Sequence, residues 1–551
     1  MFNRSSIESI KNAVWLKKRP DILILAVFWI SFSILLVFSL NATQGQFIYP
    51  LDDSYIHINI AKNFAQHGIW GISKEGFSSL SSSLLWTVLL SGLNLVFGPS
   101  TIFPLILSAF FAVLLLKAVF KWLDNCGIPP ALNFFGILAI LFLTPLLPLV
   151  FSGLEHILHA LLVFLLICSA AKTLSTPSES HSWKWLWLAP LVVMTRYESI
   201  FVIASVAFLF ILKKKIWQPL VLIFGGTIPI ALFGIISLQR GWFFFPNSVY
   251  LKGRTPQFSS IKGFIRWLLE PWKMTPENFH VLLILVLSIF VLLLLWFKKR
   301  TLWTFPMIMT SILSMALILH IQFAKIGSFY RYEAYLMIQG LFIIFLVIKE
   351  LRLKDKEQVL SRLEQKRHKI RRLEMSLILF IIFTALGIRG IVSLINIPQA
   401  SKNIYEQQYQ MGLFLKTFYS AEKIAANDIG AIHFLAEIQC LDLWGLSSME
   451  VARAKKQNSF DVEFIDLITK SHQTKIAILY DRWFDPYGGL PSEWIKVGEW
   501  TIQNNVVSGG ETVSFYAVDT SEKDHLTQHL REFSKSLPED VIQKIGTEYF
   551  Q

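Results

Sequence analysis

Tyr49-Pro50-Leu51-Asp52-Asp53-Ser54-Tyr55-Ile56-His57 follows directly on the first long apolar run of the chain. Two adjacent carboxylates open an amphipathic stretch that extends to about Gly68. A carboxylate at the start of a helix accepts the free N–H groups of the first turn and suits its positive end. Either Asp52 or Asp53 is therefore expected to cap this helix. His57 comes four residues after Asp53 and is placed on the same side. Capping alone is a sufficient reason for two N-terminal acids, so any chemical role must be argued from the rest of the chain.

The chain has 551 residues, 54% of them hydrophobic and 16% charged, with a mean hydropathy of +0.51. A soluble domain carries about 25% charged residues, so most of this polymer is solvated by lipid. The net charge is +13, but the basic residues sit in short clusters between apolar runs. That pattern marks cytoplasmic loops and not a nucleic-acid face. Cys126, Cys168 and Cys440 lie far apart and form neither a disulfide framework nor a metal site. Lys11, Lys17, Lys18 and Arg19 precede the apolar run Asp21–Leu40, as in a signal sequence. The run is too long for an ordinary signal core and no small-residue cleavage site follows, so it reads as a retained signal-anchor helix.

A spanning helix needs about 20 mostly apolar residues, somewhat fewer with tilt or local thinning. Spans are expected near 21–41, 101–121, 131–150, 156–171, 185–196, 199–212, 217–238, 280–297, 302–321, 335–348 and 375–395. The pair 185–196 and 199–212 is short, and reads either as two tilted half-length helices meeting at a polar turn or as one kinked helix. With the N-terminus inside and eleven crossings, Lys117 and Lys121, Lys172 and Lys184, Lys213–Lys215, Lys298–Arg300 and Lys349–Arg372 all fall on the cytoplasmic side. Residues 42–100, 239–279 and those after about 396 then lie outside. Ser83–Phe97 is apolar but short, and is expected to lie along the outer interface. Lys349–Arg372 alternates charges as a solvated helix would.

From 396 onward the composition is that of a soluble domain. Strands are expected at Lys423–Asp428, Cys440–Leu443, Lys475–Tyr480 and Ser514–Val518, and helices at Ile429–Ala436, Glu463–Thr469 and Asp524–Phe533. Alternating strands and helices indicate a small α/β domain. The expected architecture is a polytopic α-helical membrane domain over 1–395 and an extracytoplasmic α/β domain over 396–551.

Ionisable groups that interrupt apolar runs are functional candidates, because burying them in a membrane is costly. The topology gathers them on the outer face: Asp52, Asp53 and His57; Glu155 and His156; Arg196 and Glu198; Arg331 and Glu333; and the loop Phe245–Arg254 with Lys252 and Arg254. Each has a structural alternative. Glu155 and Arg196 can form a clamp between helices, and Arg331 and Lys252 can snorkel. Arg196 and Glu198 stand two apart, do not face each other on a regular helix, and are expected to find separate partners. Together the set suits transfer from a phosphate-activated donor. A carboxylate takes the proton of an acceptor hydroxyl, and Arg or Lys stabilises charge on a departing phosphate. Nucleotide sugars are not at hand outside the cell, so the donor is expected to be carried on a lipid.

The ordered motifs resemble the GT-C superfamily of glycosyltransferases that use polyprenyl-phosphate sugars. Within it they are closest in pattern to arabinofuranosyltransferase-like and lipopolysaccharide-core galacturonosyltransferase-like proteins. Asp52-Asp53-Ser54-Tyr55 is similar to their Asp-Asp-Ala-Tyr, Glu75-Gly76-Phe77-Ser78-Ser79 to Glu-Gly-Tyr-Thr-Ser, and Ser152-Gly153-Leu154-Glu155 to Ser-Gly-Leu-Glu-Thr, with His156 in place of the threonine. Thr195-Arg196-Tyr197-Glu198-Ser199 resembles Thr-Arg-Pro-Glu-Gly without its proline and glycine, Pro246–Lys252 resembles Pro-Asn-Thr-Phe-Tyr-x-Lys, and Arg331-Tyr332 resembles an Arg-Tyr that opens a late span. Asn427–Ala431 and Leu441–Leu446 resemble the soluble tail of the same proteins.

The resemblance implies that Asp52 or Asp53 is the catalytic base and that the anomeric centre inverts. It also leaves room for a divalent cation at Asp52 or Asp53. The combined expectation is a bacterial inner-membrane glycosyltransferase whose donor is a polyprenyl-phosphate monosaccharide and whose acceptor is a lipid-linked or envelope glycan. Asp53 is the preferred base because His57 stands beside it. Arg196, Lys252, Arg254 and Arg331 are candidates for the donor phosphate, and Glu155, Glu198, His57 and Tyr55 for the substrates. Rival readings are a lipid or polysaccharide transporter or flippase, whose charges would sit at mid-membrane in repeated halves, and a non-catalytic envelope assembly protein.

Overall fold

The computed structural model describes residues 20–176, 183–252, 260–299, 301, 303–327, 329–354, 362–546 and 548–550. Apolar runs make helices in the order α1 (Pro20–Ala42), α2 (Asp52–His67), α3 (Leu84–Phe97), α4 (Phe103–Asn125), α5 (Pro130–Leu143), α6 (Leu146–Phe151), α7 (His156–Ser175), α8 (Leu188–Thr195), α9 (Ser199–Leu212) and α10 (Trp217–Gln239). They continue as α11 (Asn247–Lys252), α12 (Ile261–Leu269), α13 (Phe279–Lys299), α14 (Phe305–Phe323), α15 (Ala334–Lys354), α16 (Arg362–Ile404) and α17 (Gln410–Phe418). Among the described residues, seven helices are long and apolar enough to cross a membrane. All eleven expected spans fall on helices.

Two differ from expectation in ways that matter, and the short pair takes one of the two forms expected of it. The span near 131–150 is broken between α5 and α6, because Pro145 has no N–H to give and its ring clashes with the preceding turn. The short pair is two helices, α8 and α9, separated by an extended Arg196 (φ −157°, ψ 137°). The last span belongs to a 43-residue helix, α16, which runs through a π turn at Tyr405–Tyr409 into α17 and so into the soluble domain. The charged stretch expected as a solvated helix enters α15 and α16 at its two ends, and its residues 355–361 lie outside the described residues.

The soluble domain carries β1 (Lys423–Ala426), α18 (Gly430–Leu435), β2 (Gln439–Asp442), α19 (Met449–Gln457), α20 (Val462–Ser471), β3 (Ile476–Leu479), β4 (Ile495–Thr501), β5 (Thr512–Ala517), α21 (Lys523–Phe533), β6 (Ile542–Ile545) and β7 (Glu548–Phe550). The sheet order is β2-β1-β3-β5-β4-β6-β7. Its first three strands are parallel, with Ile424 opposite both Cys440 and Ile476, and the rest are antiparallel. The sequence pattern did not reveal α19, β4, β6 and β7.

Helix α2 joins the two parts. Tyr55, Ile58 and Ala61 pack into the core of the bundle, while Ile56 and Ile60 pack with Phe414, Ile424 and Ile432 of the soluble domain. The capping expectation fails: the residue before α2 is Leu51, and no side chain caps the helix. Asp52 instead caps another helix. Its carboxylate accepts the backbone N–H groups of Gly430 (2.6 Å) and Ala431 (2.7 Å) at the start of α18. A Cβ at Gly430 would collide with the carbonyl and carboxylate of Asp52.

Replacing Gly430 with Ala is therefore expected to loosen the soluble domain from the bundle at a cost of about 1–3 kcal/mol, the scale for losing buried hydrogen bonds. Faster proteolytic cleavage between 405 and 430 and a lower melting temperature would report it. Unchanged values would remove this contact as a determinant of docking.

Candidate functional site

Asp53 stands one residue beyond Asp52 on α2 and faces the other way, into a cavity of about 280 Å³ between the bundle and the soluble domain. Arg331, buried just before α15, donates to Asp53 Oδ2 at 2.7 Å. His57, one helical turn on, lines the same cavity. Its Nδ1 lies 3.2 Å from Thr87 Oγ1 and 3.4 Å from Ser81 Oγ, contacts that fix the ring plane.

Glu155 immediately precedes α7 and is buried. One of its oxygens accepts Arg196 Nη1 at 2.6 Å, and the other lies 3.9 Å from His57 Nε2 with no hydrogen-bond partner. The extended backbone at Arg196 corrects the sequence reading of that residue. Off the helix, Arg196 turns back on Glu198, with Nη2 and Nε donating to its two oxygens at 2.6 and 3.1 Å. The two-residue spacing that forbids contact on a helix permits a bidentate pair at a helix break. Arg196 and Arg331 lie over the Tyr332 ring at 5.0 and 5.1 Å from its centroid, so the ring's negative face eases their mutual repulsion.

Asp53, His57, Glu155, Arg196, Glu198 and Arg331 thus come together from four separated segments. Among the described residues, the sequence candidates Asp52, Tyr55 and Glu333 do not join them. Asp52 is bound to α18. Tyr55 is buried between Tyr49 and Phe434, with ring centroids 5.8 and 5.6 Å away, and its hydroxyl accepts the Tyr49 N–H. Glu333 turns from the cavity to His280 (2.8 Å), Arg389 and the Gly327 N–H. Lys252 ends α11, and Arg254 lies outside the described residues. The Asp52 carboxylate turns to α18 and the Asp53 carboxylate to Arg331. Among the described residues no cluster of three or more His, Cys, Asp or Glu side chains is arranged to hold a metal.

Sequence reasoning overlooked Lys325, an exposed cation that lines the cavity and forms no ion pair among the described residues. Its position after α14 and close before Arg331 was the available signal. It also overlooked the soluble domain's share of the wall, Leu446. Asn247 secures that wall: its N–H donates to the Ser79 carbonyl (2.8 Å) and its side-chain amide to the Gly445 carbonyl (2.9 Å). Apolar side chains, among them Phe201, Ile230 and Phe323, line much of the remainder.

Residues 402–516 match a family described as a domain of unknown function (DUF8728). No curated protein matches the chain. Two crystal structures of ArnT from Cupriavidus metallidurans are similar in fold. The one bound to undecaprenyl phosphate aligns over 90% of this chain and 98% of its own at 11% identity, with a TM-score of 0.49. The one in the apo state aligns over 90% and 99% at 12% identity, with a TM-score of 0.47.

Behind the cavity, Asp52 meets Asp428. Burial pushes both carboxyls above their ordinary range, and at Asp428 the neighbouring Asp52 charge adds to it. Folding therefore takes up protons at this contact. Its stability is fully present below about pH 4, the ordinary carboxylate range, and is lost as pH rises through the raised folded values. The melting temperature is expected to fall with rising pH across that window, and Asp428→Asn should flatten the fall. An identical slope in the variant would contradict the assignment.

Proposed function

We propose that this protein is a membrane glycosyltransferase of the GT-C type, which transfers a monosaccharide from a polyprenyl-phosphate donor to a lipid-linked or envelope glycan. The observation that carries the reading is the convergence of Asp53, His57, Glu155, Arg196, Glu198 and Arg331 on one cavity with apolar walls. The ordered motif resemblance supports the same class.

In this reading Asp53 accepts the proton of the acceptor hydroxyl as that oxygen attacks the anomeric carbon. The bond from that carbon to the phosphate oxygen breaks, and its electron pair leaves with the phosphate. Arg331, Arg196 and Lys325 stabilise the added charge. A single displacement of this kind inverts the anomeric centre. The Asp53–Arg331 pair gives the order of events: the donor phosphate draws Arg331 to itself and frees Asp53 to act as base. Glu155 and Glu198 hold Arg196 in place and offer acceptors to sugar hydroxyls. Lys252 and Arg254 remain further candidates for the phosphate. The apolar wall accommodates the first isoprene units of the donor. The orientation is the one the basic loops favour, with the N-terminus cytoplasmic and the cavity and soluble domain on the outer face of a bacterial inner membrane.

Purified Asp53→Asn protein, incubated with labelled polyprenyl-phosphate sugars and envelope lipid extract, is expected to lose transfer by about 10²–10⁴-fold, the usual contribution of a general base. The protein should still be expressed and folded, with a lower melting temperature because buried Arg331 loses an ionic partner. Full activity in the variant would overturn the assignment of the base, and release of no polyprenyl phosphate from any donor by the wild-type protein would overturn the class.

A further inference from the structure

The connection from Phe323 at the end of α14 to Ala334 at the start of α15 carries two of the cavity's cations, Lys325 and Arg331. A link between helices ordinarily leaves such side chains loosely placed, because loops are mobile and long basic side chains have many rotamers. This one is constrained. Gly327, Phe329 and Tyr330 all have left-handed backbone, at φ 82°, 61° and 66°. Glycine adopts that conformation freely. Two successive aromatic residues adopt it only where the surrounding contacts over-determine the chain.

Those contacts centre on Glu333, which is fully buried. Its Oε2 accepts the Gly327 N–H at 3.0 Å. Its Oε1 accepts Nε2–H of His280, at the start of α13, at 2.8 Å, and an N–H of the Arg389 guanidinium on α16. A carboxylate only accepts, so His280 carries its proton on Nε2. The same Arg389 guanidinium lies over the Tyr330 ring, 4.9 Å from its centre. Gly327, Tyr330 and Glu333 are thus held by one cluster, while Ala324, Lys325, Arg331 and Tyr332 line the cavity.

A plain clamp between α13, α15 and α16 would need only Glu333, His280 and Arg389. Here one carboxylate oxygen goes to the backbone of the connection, and the guanidinium also holds an aromatic ring within it. Both extra contacts act on the segment that presents Lys325 and Arg331. We propose that Glu333 is a positioning residue for a lipid-borne phosphate: with His280 and Arg389 it fixes Gly327 and Tyr330, so that Lys325 and Arg331 meet the phosphate from set positions. The proposal rests on the glycosyltransferase reading for the identity of that phosphate as the donor's. In that reading Arg331 passes from Asp53 to the phosphate, and a fixed backbone confines the movement to its side chain. Electrostatic stabilisation is strongest where the charged groups are placed before the reaction. A displacement of about 1 Å at such a site costs about a hundredfold in rate.

The test is native mass spectrometry of the detergent-purified full-length protein, titrated with undecaprenyl phosphate and separately with undecaprenol, which has the same tail and no phosphate. The wild-type protein is expected to prefer the phosphate. Glu333→Gln, nearly the same in shape, should cut that preference about tenfold, as one charge-assisted contact to the phosphate is lost. Its affinity for undecaprenol should not change, whereas a general loosening of the fold would weaken both lipids alike. Tyr330→Leu leaves the ion pairs of Glu333 in place and should cut the preference about threefold, the scale of one cation–π contact. No preference in the wild type, an unchanged preference in Glu333→Gln, or an equal loss for both lipids would each overturn the proposal. Should Glu333→Gln fail to fold, an unchanged preference in Tyr330→Leu overturns it instead. If the preference depends on Glu333 while no polyprenyl-phosphate sugar is ever turned over, the positioning role stands and the glycosyltransferase reading fails. If such a sugar is turned over and Glu333→Gln keeps the full preference, the glycosyltransferase reading stands and the positioning role fails.

Discussion

Two neighbouring carboxylates on one helix cannot share a target, because successive residues point about 100° apart. Asp52 and Asp53 use that divergence. Asp52 holds the backbone N–H groups of Gly430 and Ala431, so the soluble domain is fastened to the first residue of α2. Asp53 reaches across to Arg331, so the same turn is fastened to the bundle. The cavity exists between these two attachments. The soluble domain supplies part of its wall and fixes the helix that carries its central acid.

The charges inside are arranged in the only way an apolar surround tolerates them. A lone buried ion costs several kcal/mol, whereas one paired and hydrogen-bonded is sustainable. Arg196 is therefore satisfied by two carboxylates, Arg331 by Asp53, and Tyr332 separates the two guanidiniums. Glu155 keeps one oxygen without a partner, near His57. In the proposed reaction this network has a use beyond stability. The donor phosphodiester carries one negative charge and the departing phosphate two, so the phosphate draws Arg331 from Asp53 increasingly as the bond breaks, and the base is exposed.

Much of the fold was legible because apolar runs of spanning length and clustered Lys and Arg are strong, local signals. The helix break at Arg196 was legible as two alternatives, but its consequence was not. Two residues that cannot meet on a helix read as having separate partners, and the extended backbone brings them together. The direction of Asp52 was also hidden, since its partners, Gly430 and Ala431, lie hundreds of residues away and offer only backbone N–H groups. Tyr55 looked like a site residue because it neighbours the acids, while the helix turns it into the packing between Tyr49 and Phe434. Lys325 was missed because an isolated lysine at the end of an apolar helix looks like any interfacial anchor. Strand β4 escaped because a register shift between Lys496 and Gly498 interrupts its alternation, and β7 because it has only three residues.

In the proposed mechanism Arg331 is shared between Asp53 and the donor phosphate. Titration of the detergent-purified protein with undecaprenyl phosphate, followed by native mass spectrometry, tests it most directly. Arg331→Ala should weaken binding at least about tenfold, as expected for loss of a charge-assisted contact. Asp53→Asn, by removing the competing carboxylate, should bind the phosphate as tightly as the wild-type protein or more so. Equal affinity in the Arg331→Ala protein, or weaker binding in Asp53→Asn, would contradict the account.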